Sequence, residues 1–353
     1  MRRRTIWITA SVALVAAALL AAFLLRRRAA PEPARLLPEA EAYLYFNLGP
    51  LRTVGVLPPN PPPVHDPAYE EFVRETGFQF ERDLDEAAFA VHAPPRLIDS
   101  EPPPGRPAQF RRFSEVFRGH FDFQRTSRYL RRLAKSVETY RAVEIYSIPL
   151  EGRTVRVALL GVGLAAASNT DGPQAVHYMV DRYKQLALPF GGPSLVREYY
   201  RYVPFASLLW AIVRVAGEGE QGTALMLPGG WDVFFPSQTV IVGSMRYTTA
   251  IQVKAEAFAA NADAARRIVE QADGFLAIFH GLQTTLNPSG TDPDVKAFFN
   301  SLQVQQYKTR AVLSASVPPA FLKKVFSEAP MPAITGSPGA QEKRPPAAKR
   351  RKR

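Results

Sequence analysis

The chain contains no cysteine, so thiol nucleophiles, iron–sulfur clusters and thiolate zinc sites are excluded. The redox compartment stays open. Histidine is sparse as well. His65, His92, His120, His177 and His280 are scattered, and none belongs to HExxH or a comparable ligand spacing. His177 and Asp181 share a helix face at i, i+4, which reads as a hydrogen-bonded surface pair before it reads as half of a metal site. No serine occupies a GxSxG elbow, so a Ser-His-Asp triad has nothing to anchor it. Gly217-Glu218-Gly219-Glu220-Gln221-Gly222 matches GxGxxG formally, but its two glutamates would repel phosphate and Pro228-Gly229-Gly230 interrupts the helix that should follow. It reads as a surface loop. Asp83 and Asp85 are a minimal carboxylate pair for glycoside hydrolysis, yet turn formation and capping explain such residues more simply. No catalytic, metal or cofactor-binding residue is assigned, no cofactor is expected, and a binding role is favoured over an enzymatic one.

Net charge is not scarce but is unevenly placed. The formal +12 comes from the ends: Arg2, Arg3, Arg4, Arg26, Arg27 and Arg28 on one side, and Lys343, Arg344, Lys349, Arg350, Arg351, Lys352 and Arg353 on the other. Removing those thirteen cations and Glu342 from the 44 basic and 32 acidic residues leaves 31 of each sign. A neutral body has no overall field to steer it onto a polyanion, which argues against nucleic acid as a partner.

Uncharged apolar runs are also few. Thr5–Leu25 is the long one, 21 residues fenced by arginine triplets, and at helical rise it would span about 30 Å, the thickness of a bilayer core. The run is longer than a signal-peptide core, and Leu24-Leu25 before Arg26 is a poor cleavage site, so we expect an uncleaved anchor. Arginine triplets on both sides nearly cancel in the positive-inside count; the free amino terminus tips the body outwards. The expectation is a single-pass protein of the bacterial inner membrane with an extracytoplasmic body. Val203–Ala216, interrupted by Arg214, is too short to span and reads as a buried helix or an interfacial segment.

Beyond the anchor with its basic flanks (1–28) and a proline-stiffened linker (29–38), the pattern divides into two lobes, 39–190 and 191–328, and a disordered basic tail, 329–353. Ala42–Leu48 alternates like a strand. Asp66-Pro67 caps a helix that Gly77 stops, and Ala87–His92 is a strand. A strand from Phe113 precedes Asp122, the cap of a helix with Leu130, Leu133, Ala134 and Val137 inward. Val143–Ile148 and Val155–Leu159 form a hairpin about Glu151-Gly152, and Val176, Met179, Val180 and Tyr183 mark a helix face. The second lobe runs from a strand at Tyr247–Phe258 through a helix capped by Asn261 to paired strands at Val304–Lys308 and Arg310–Val317, with a last helix opened by Pro318-Pro319. The expected fold class is α+β: one transmembrane helix, then two lobes, each a β-α-β-β-α-like sheet covered by helices.

Gly119-His120-Phe121-Asp122, Val137–Ile148, Val157–Asn169, the helix Ala175–Tyr183, and in the second half Val253–Ala265 and Leu302–Val325 carry a pattern that resembles uncharacterised bacterial membrane-anchored, extracytoplasmic two-lobed proteins. The resemblance implies an architecture and a location; it brings no catalytic residues. Within the body, basic residues concentrate between Arg106 and Lys135, interleaved with aromatics. Arg111, Arg112, Arg118, Arg125, Arg128 and Arg132, together with Lys349, Arg350, Arg351, Lys352 and Arg353 of the tail, are the candidate contacts to anionic lipid or an acidic envelope partner. The functional expectation is a membrane-tethered, non-enzymatic binding or scaffolding protein of the cell envelope. Two alternatives stand beside it: a divergent envelope hydrolase with a carboxylate site, and a cytoplasm-facing protein whose tail binds a polyanion.

Overall fold

The computed structural model describes residues 29–53, 66–92, 112–150, 152–185, 191–215, 235–236, 238–286 and 293–318. Thr5–Leu25, Arg111, the GxGxxG-like run, the helix expected after Pro318 and the basic tail lie outside them.

The first described element is a short helix, α1 (Glu32–Leu36), followed by β1 (Ala42–Asn47), α2 (Leu48–Thr53), α3 (Pro67–Thr76), α4 (Phe80–Asp83), β2 (Leu84–His92) and β3 (Arg112–Gly119). Next come α5 (Phe123–Leu133), β4 (Ser136–Tyr140), β5 (Val143–Leu150), β6 (Arg153–Gly161), β7 (Leu164–Ser168), α6 (Gln174–Lys184) and α7 (Ser194–Tyr199). The remainder is β8 (Leu209–Arg214), β9 (Val240–Tyr247), β10 (Ile251–Phe258), α8 (Ala262–Leu286), α9 (Pro293–Ser301), β11 (Gln303–Tyr307) and β12 (Arg310–Val317).

The α+β architecture of two separate lobes is overturned. Among the described residues, all twelve strands join one antiparallel sheet in the order β11-β12-β10-β9-β8-β1-β2-β3-β7-β6-β5-β4. The joint is β1, which pairs with β2 on one side and with β8 on the other. The Val203–Ala216 run supplies that joint: its apolar stretch is the strand β8, where a buried helix or interfacial segment was expected. A short continuous apolar run cannot be assigned by periodicity, and Trp210, Ile212 and Val213 favour the pleated, two-sided burial of a central strand. Tyr247–Phe258 is likewise the second half of a hairpin, with β9 and β10 paired from Val240↔Phe258 to Tyr247↔Ile251. Two further strands, β4 and β7, carry no clear sequence signal, and Val137 lies on β4 rather than on the inner face of the preceding helix. No helix among the described residues is long and apolar enough to cross a membrane.

Period-two alternation sorts the side chains onto two faces. One face presents Tyr43, Tyr45, Ala88, Ala90, Val116, Ile145, Ala158, Ala166, Trp210 and Ile212, and these pack with α1, α6 and α7 through Leu36, Val176, Met179, Val180, Leu195 and Val196. Burying each such aliphatic contributes about 1.5–3 kcal/mol, which makes this the principal core. The other face carries Phe78, Leu84 and Ala87 with Phe72, Phe80, Phe89 and Phe117 at one end, and Ala257, Ile268 and Ala311 at the other. Helix starts obey their caps: Asp66 accepts from Ala68 N, Asp122 from Arg125 N and Asn261 from Ala264 N.

Candidate functional site

Where β2 begins, β3 ends and β6 turns into β7, three backbone segments meet closely enough to leave a cleft of about 550 Å³, lined by Glu32, Asp85, Arg118, His120, Val162 and Tyr183 among others. Glycine makes that approach feasible. A Cβ on Gly119 would collide with the Asp83 carbonyl oxygen, and one on Gly163, which holds φ at 70°, would lie 2.5 Å from the Gly119 oxygen. With both side chains absent, Gly119 N donates to Gly163 O at 2.9 Å and His120 N to Asp83 O at 2.8 Å.

The charges in the cleft are paired with one another. Arg118 reaches Glu32 and lies 3.8 Å from Glu86. Burial pushes the Glu86 carboxyl up, the Arg118 charge opposing it, and also raises Tyr45, which hydrogen-bonds Glu86. Asp85 sits 3.2 Å from His120 Nδ1 and 3.4 Å from Arg52. His120 is exposed and Val162 fully so. Asp83 is not among the residues that line the cleft with Asp85. Its carboxylate accepts from Arg82 and from Gln79 N, which holds it well below the usual range and closes the turn of α4. The cleft therefore offers a guanidinium, two carboxylates and an imidazole beside an apolar rim, with no hydroxyl nucleophile among its lining residues other than the Tyr183 phenol.

The predicted basic contacts are dispersed. Arg112 pairs with Asp171, Arg118 with Glu32, and Arg132 with Glu71 and Glu75 at 3.0 and 3.3 Å. Arg125 donates to the carbonyls of Arg74 and Glu75, the open C-terminal end of α3. Arg128 is exposed and makes no ion pair among the described residues. Only Arg118 belongs to the cleft; Arg111 and the five tail residues lie outside the described residues. His177 takes Glu138 as its partner at 2.9 Å and stacks on Tyr140, while Asp181 accepts from Tyr140 and pairs with Arg141. The i, i+4 pair is thus two neighbouring contacts pinning β4 to α6. Among the described residues no three His, Asp or Glu side chains gather as a metal site.

Two chemical features escaped sequence reasoning. His92 Nε2 lies 2.8 Å from Ser114 Oγ, which donates to Ser168 Oγ at 3.0 Å; Ser114 is wholly buried, so no substrate reaches its oxygen. Glu115, between Phe113 and Phe117 on the aromatic face and opposite Phe89 and Ala167, is pushed up to about 7 by burial. The alternation Phe113, Glu115, Phe117 carries that signal, since a lone carboxylate occupies an apolar register.

No known family's model matches this chain, and no curated protein matches it. Among solved structures it is similar to crystal form III of TP0453 at 11% identity, with 85% of this chain and 99% of that chain covered and a TM-score of 0.44. Crystal form I of TP0453 gives 11% identity, 84% and 96% coverage and a TM-score of 0.44. A likeness of that size transfers no function.

Proposed function

We propose that the chain is a non-enzymatic binding protein of the bacterial envelope, held at the membrane by Thr5–Leu25, whose cleft end faces the bilayer. The observation supporting it is where the chain enters the fold. Glu32 lines the cleft, and it follows Arg28 so closely in the sequence that the two are at most about 14 Å apart. The same end of the sheet carries two apolar tips, Val162 in the β6–β7 turn at 100% exposure and Phe205 ahead of β8 at 69%. An apolar rim around charged groups that already hold one another, Arg118 with Glu32 and Asp85 with His120, supports recognition of a ligand at this cleft.

A chain without cysteine makes the test direct. Single cysteines at Val162, Phe205 and Leu150 carry a fluorophore, with the full chain in phosphatidylethanolamine/phosphatidylglycerol vesicles containing spin-labelled lipid. Leu150 lies at the opposite end of the β5–β6 hairpin and is also exposed. Quenching at Val162 and Phe205 with Leu150 unquenched is expected; equal quenching at all three, or a chain washed free of the vesicles, overturns the reading.

A further inference from the structure

A sheet that does not close has two edges, here β4 and β11 among the described residues. Unpaired edges present free backbone donors and acceptors, and proteins usually blunt them with charge, proline or a bulge. β4 is blunted. Its sequence is Ser136-Val137-Glu138-Thr139-Tyr140, with the charged Glu138 at the centre of the strand. β11 is not. Gln303-Val304-Gln305-Gln306-Tyr307 has no charge, proline or bulge, and four of its five residues are exposed.

The geometry points to β11 as a self-association edge, on which a second copy of this chain adds its own β11 in antiparallel register about a two-fold axis at Gln305. Three features converge on that occupant. Lys308-Thr309 is a two-residue turn, Lys308 at a φ of 57°, and Tyr307↔Arg310 closes it. In such a hairpin the closing pair is hydrogen-bonded, so Gln303, Gln305 and Tyr307 direct their backbone groups to β12, while Val304 and Gln306 direct theirs outwards. A two-fold at Gln305 sets Val304 opposite its counterpart's Gln306 twice, satisfying all four outward N–H and C=O groups of each copy. The side chains agree: Gln305 meets Gln305, Gln303 meets Tyr307, and no charge is opposed. The same operation on β4 would set Glu138 against Glu138, a like-charge pair directly across the strands. Pairing β4 of one copy with β11 of another is heterologous and yields open chains rather than a closed dimer.

Gln305 would then be a non-hydrogen-bonded pair with Cα atoms about 4.5 Å apart, inside the range that a disulfide spans. Gln305→Cys in the full-length chain is expected to give a reducible covalent dimer on mild oxidation. Gln303→Cys, displaced by four residues from its own counterpart, gives none, and neither does Glu138→Cys. Independently, sedimentation over micromolar concentrations should show a monomer–dimer equilibrium. Gln305→Lys weakens it by roughly tenfold or more, with the melting temperature kept, and equal mixing with Gln305→Glu restores dimers. A chain that sediments as a monomer throughout, that crosslinks better as Glu138→Cys than as Gln305→Cys, or that dimerises unchanged as Gln305→Lys overturns the proposal.

Discussion

Glu115 shows what a single side chain can cost a sheet. Burial among Phe89, Phe113 and Phe117 keeps its proton on to about pH 7, whereas in the unfolded chain it is lost near pH ~4.3. The folded state therefore binds more protons across that window, and stability falls as pH rises through it, the penalty being complete above the folded value. Glu115→Gln should gain about 1–3 kcal/mol at pH 8 and little at pH 4, read from urea denaturation at the two pH values. A wild-type midpoint that does not drop between them rules out the assignment. Glycine gives a second contrast at this scale. Gly163 and Gly152 both hold positive φ, 70° and 77°, but a Cβ on Gly163 meets the Gly119 oxygen whereas one on Gly152 meets nothing within 4 Å. Gly152→Ala should cost about 1 kcal/mol for its backbone alone. Gly163→Ala adds overpacking and should cost about 2–4 kcal/mol, and thermal melts of the two variants measure the difference.

Most elements were legible because their signals are local. Asp66, Asp122 and Asn261 each cap the helix that the sequence placed after them, Gly77 stops one in the left-handed conformation, and the Val143–Leu159 hairpin follows from strict alternation. The strands that the sequence pattern hides or disguises lack such signals: β7 is Leu-Ala-Ala-Ala-Ser, whose small side chains show no periodicity, and β8 is apolar on both faces. What makes β8 a strand lies far along the chain, in Tyr43 and Tyr45 of β1. The cleft was illegible for the same reason, since Glu32, Asp85, Arg118 and Val162 converge only through pairing. Within β8, Trp210 stacks on Tyr45 at 5.4 Å and meets Tyr200 edge-on, while its buried indole N–H finds no acceptor among the described residues. Trp210→Phe should thus lose packing but shed an unsatisfied donor, a net change within about 1.5 kcal/mol. Trp210→Ala should cost about 3–5 kcal/mol; guanidinium titration separates the two, and a phenylalanine variant as unstable as the alanine one would show that the N–H is satisfied.

For the whole molecule, the difference between two lobes and one sheet is a difference in cooperativity. Separate lobes would unfold in two steps, each reporting its own stability. In a continuous ladder every strand of the second half reaches the first through the β8–β1 pairing, Leu209↔Phe46 to Val213↔Ala42, and the large core shares Tyr43, Tyr45, Trp210, Ile212 and Val242 across that seam. Loss of the seam exposes apolar surface on both sides at once, so neither half keeps its stability when the other opens. Fluorophores on single cysteines at Leu150, at the end of β5, and at Tyr307, in β11, both exposed positions, should report coincident denaturant transitions. Ala211→Pro removes a ladder donor and clashes within a central strand, and should lower both midpoints together. If the Tyr307 probe melts early while the Leu150 probe keeps its wild-type midpoint, the seam is not what couples the halves.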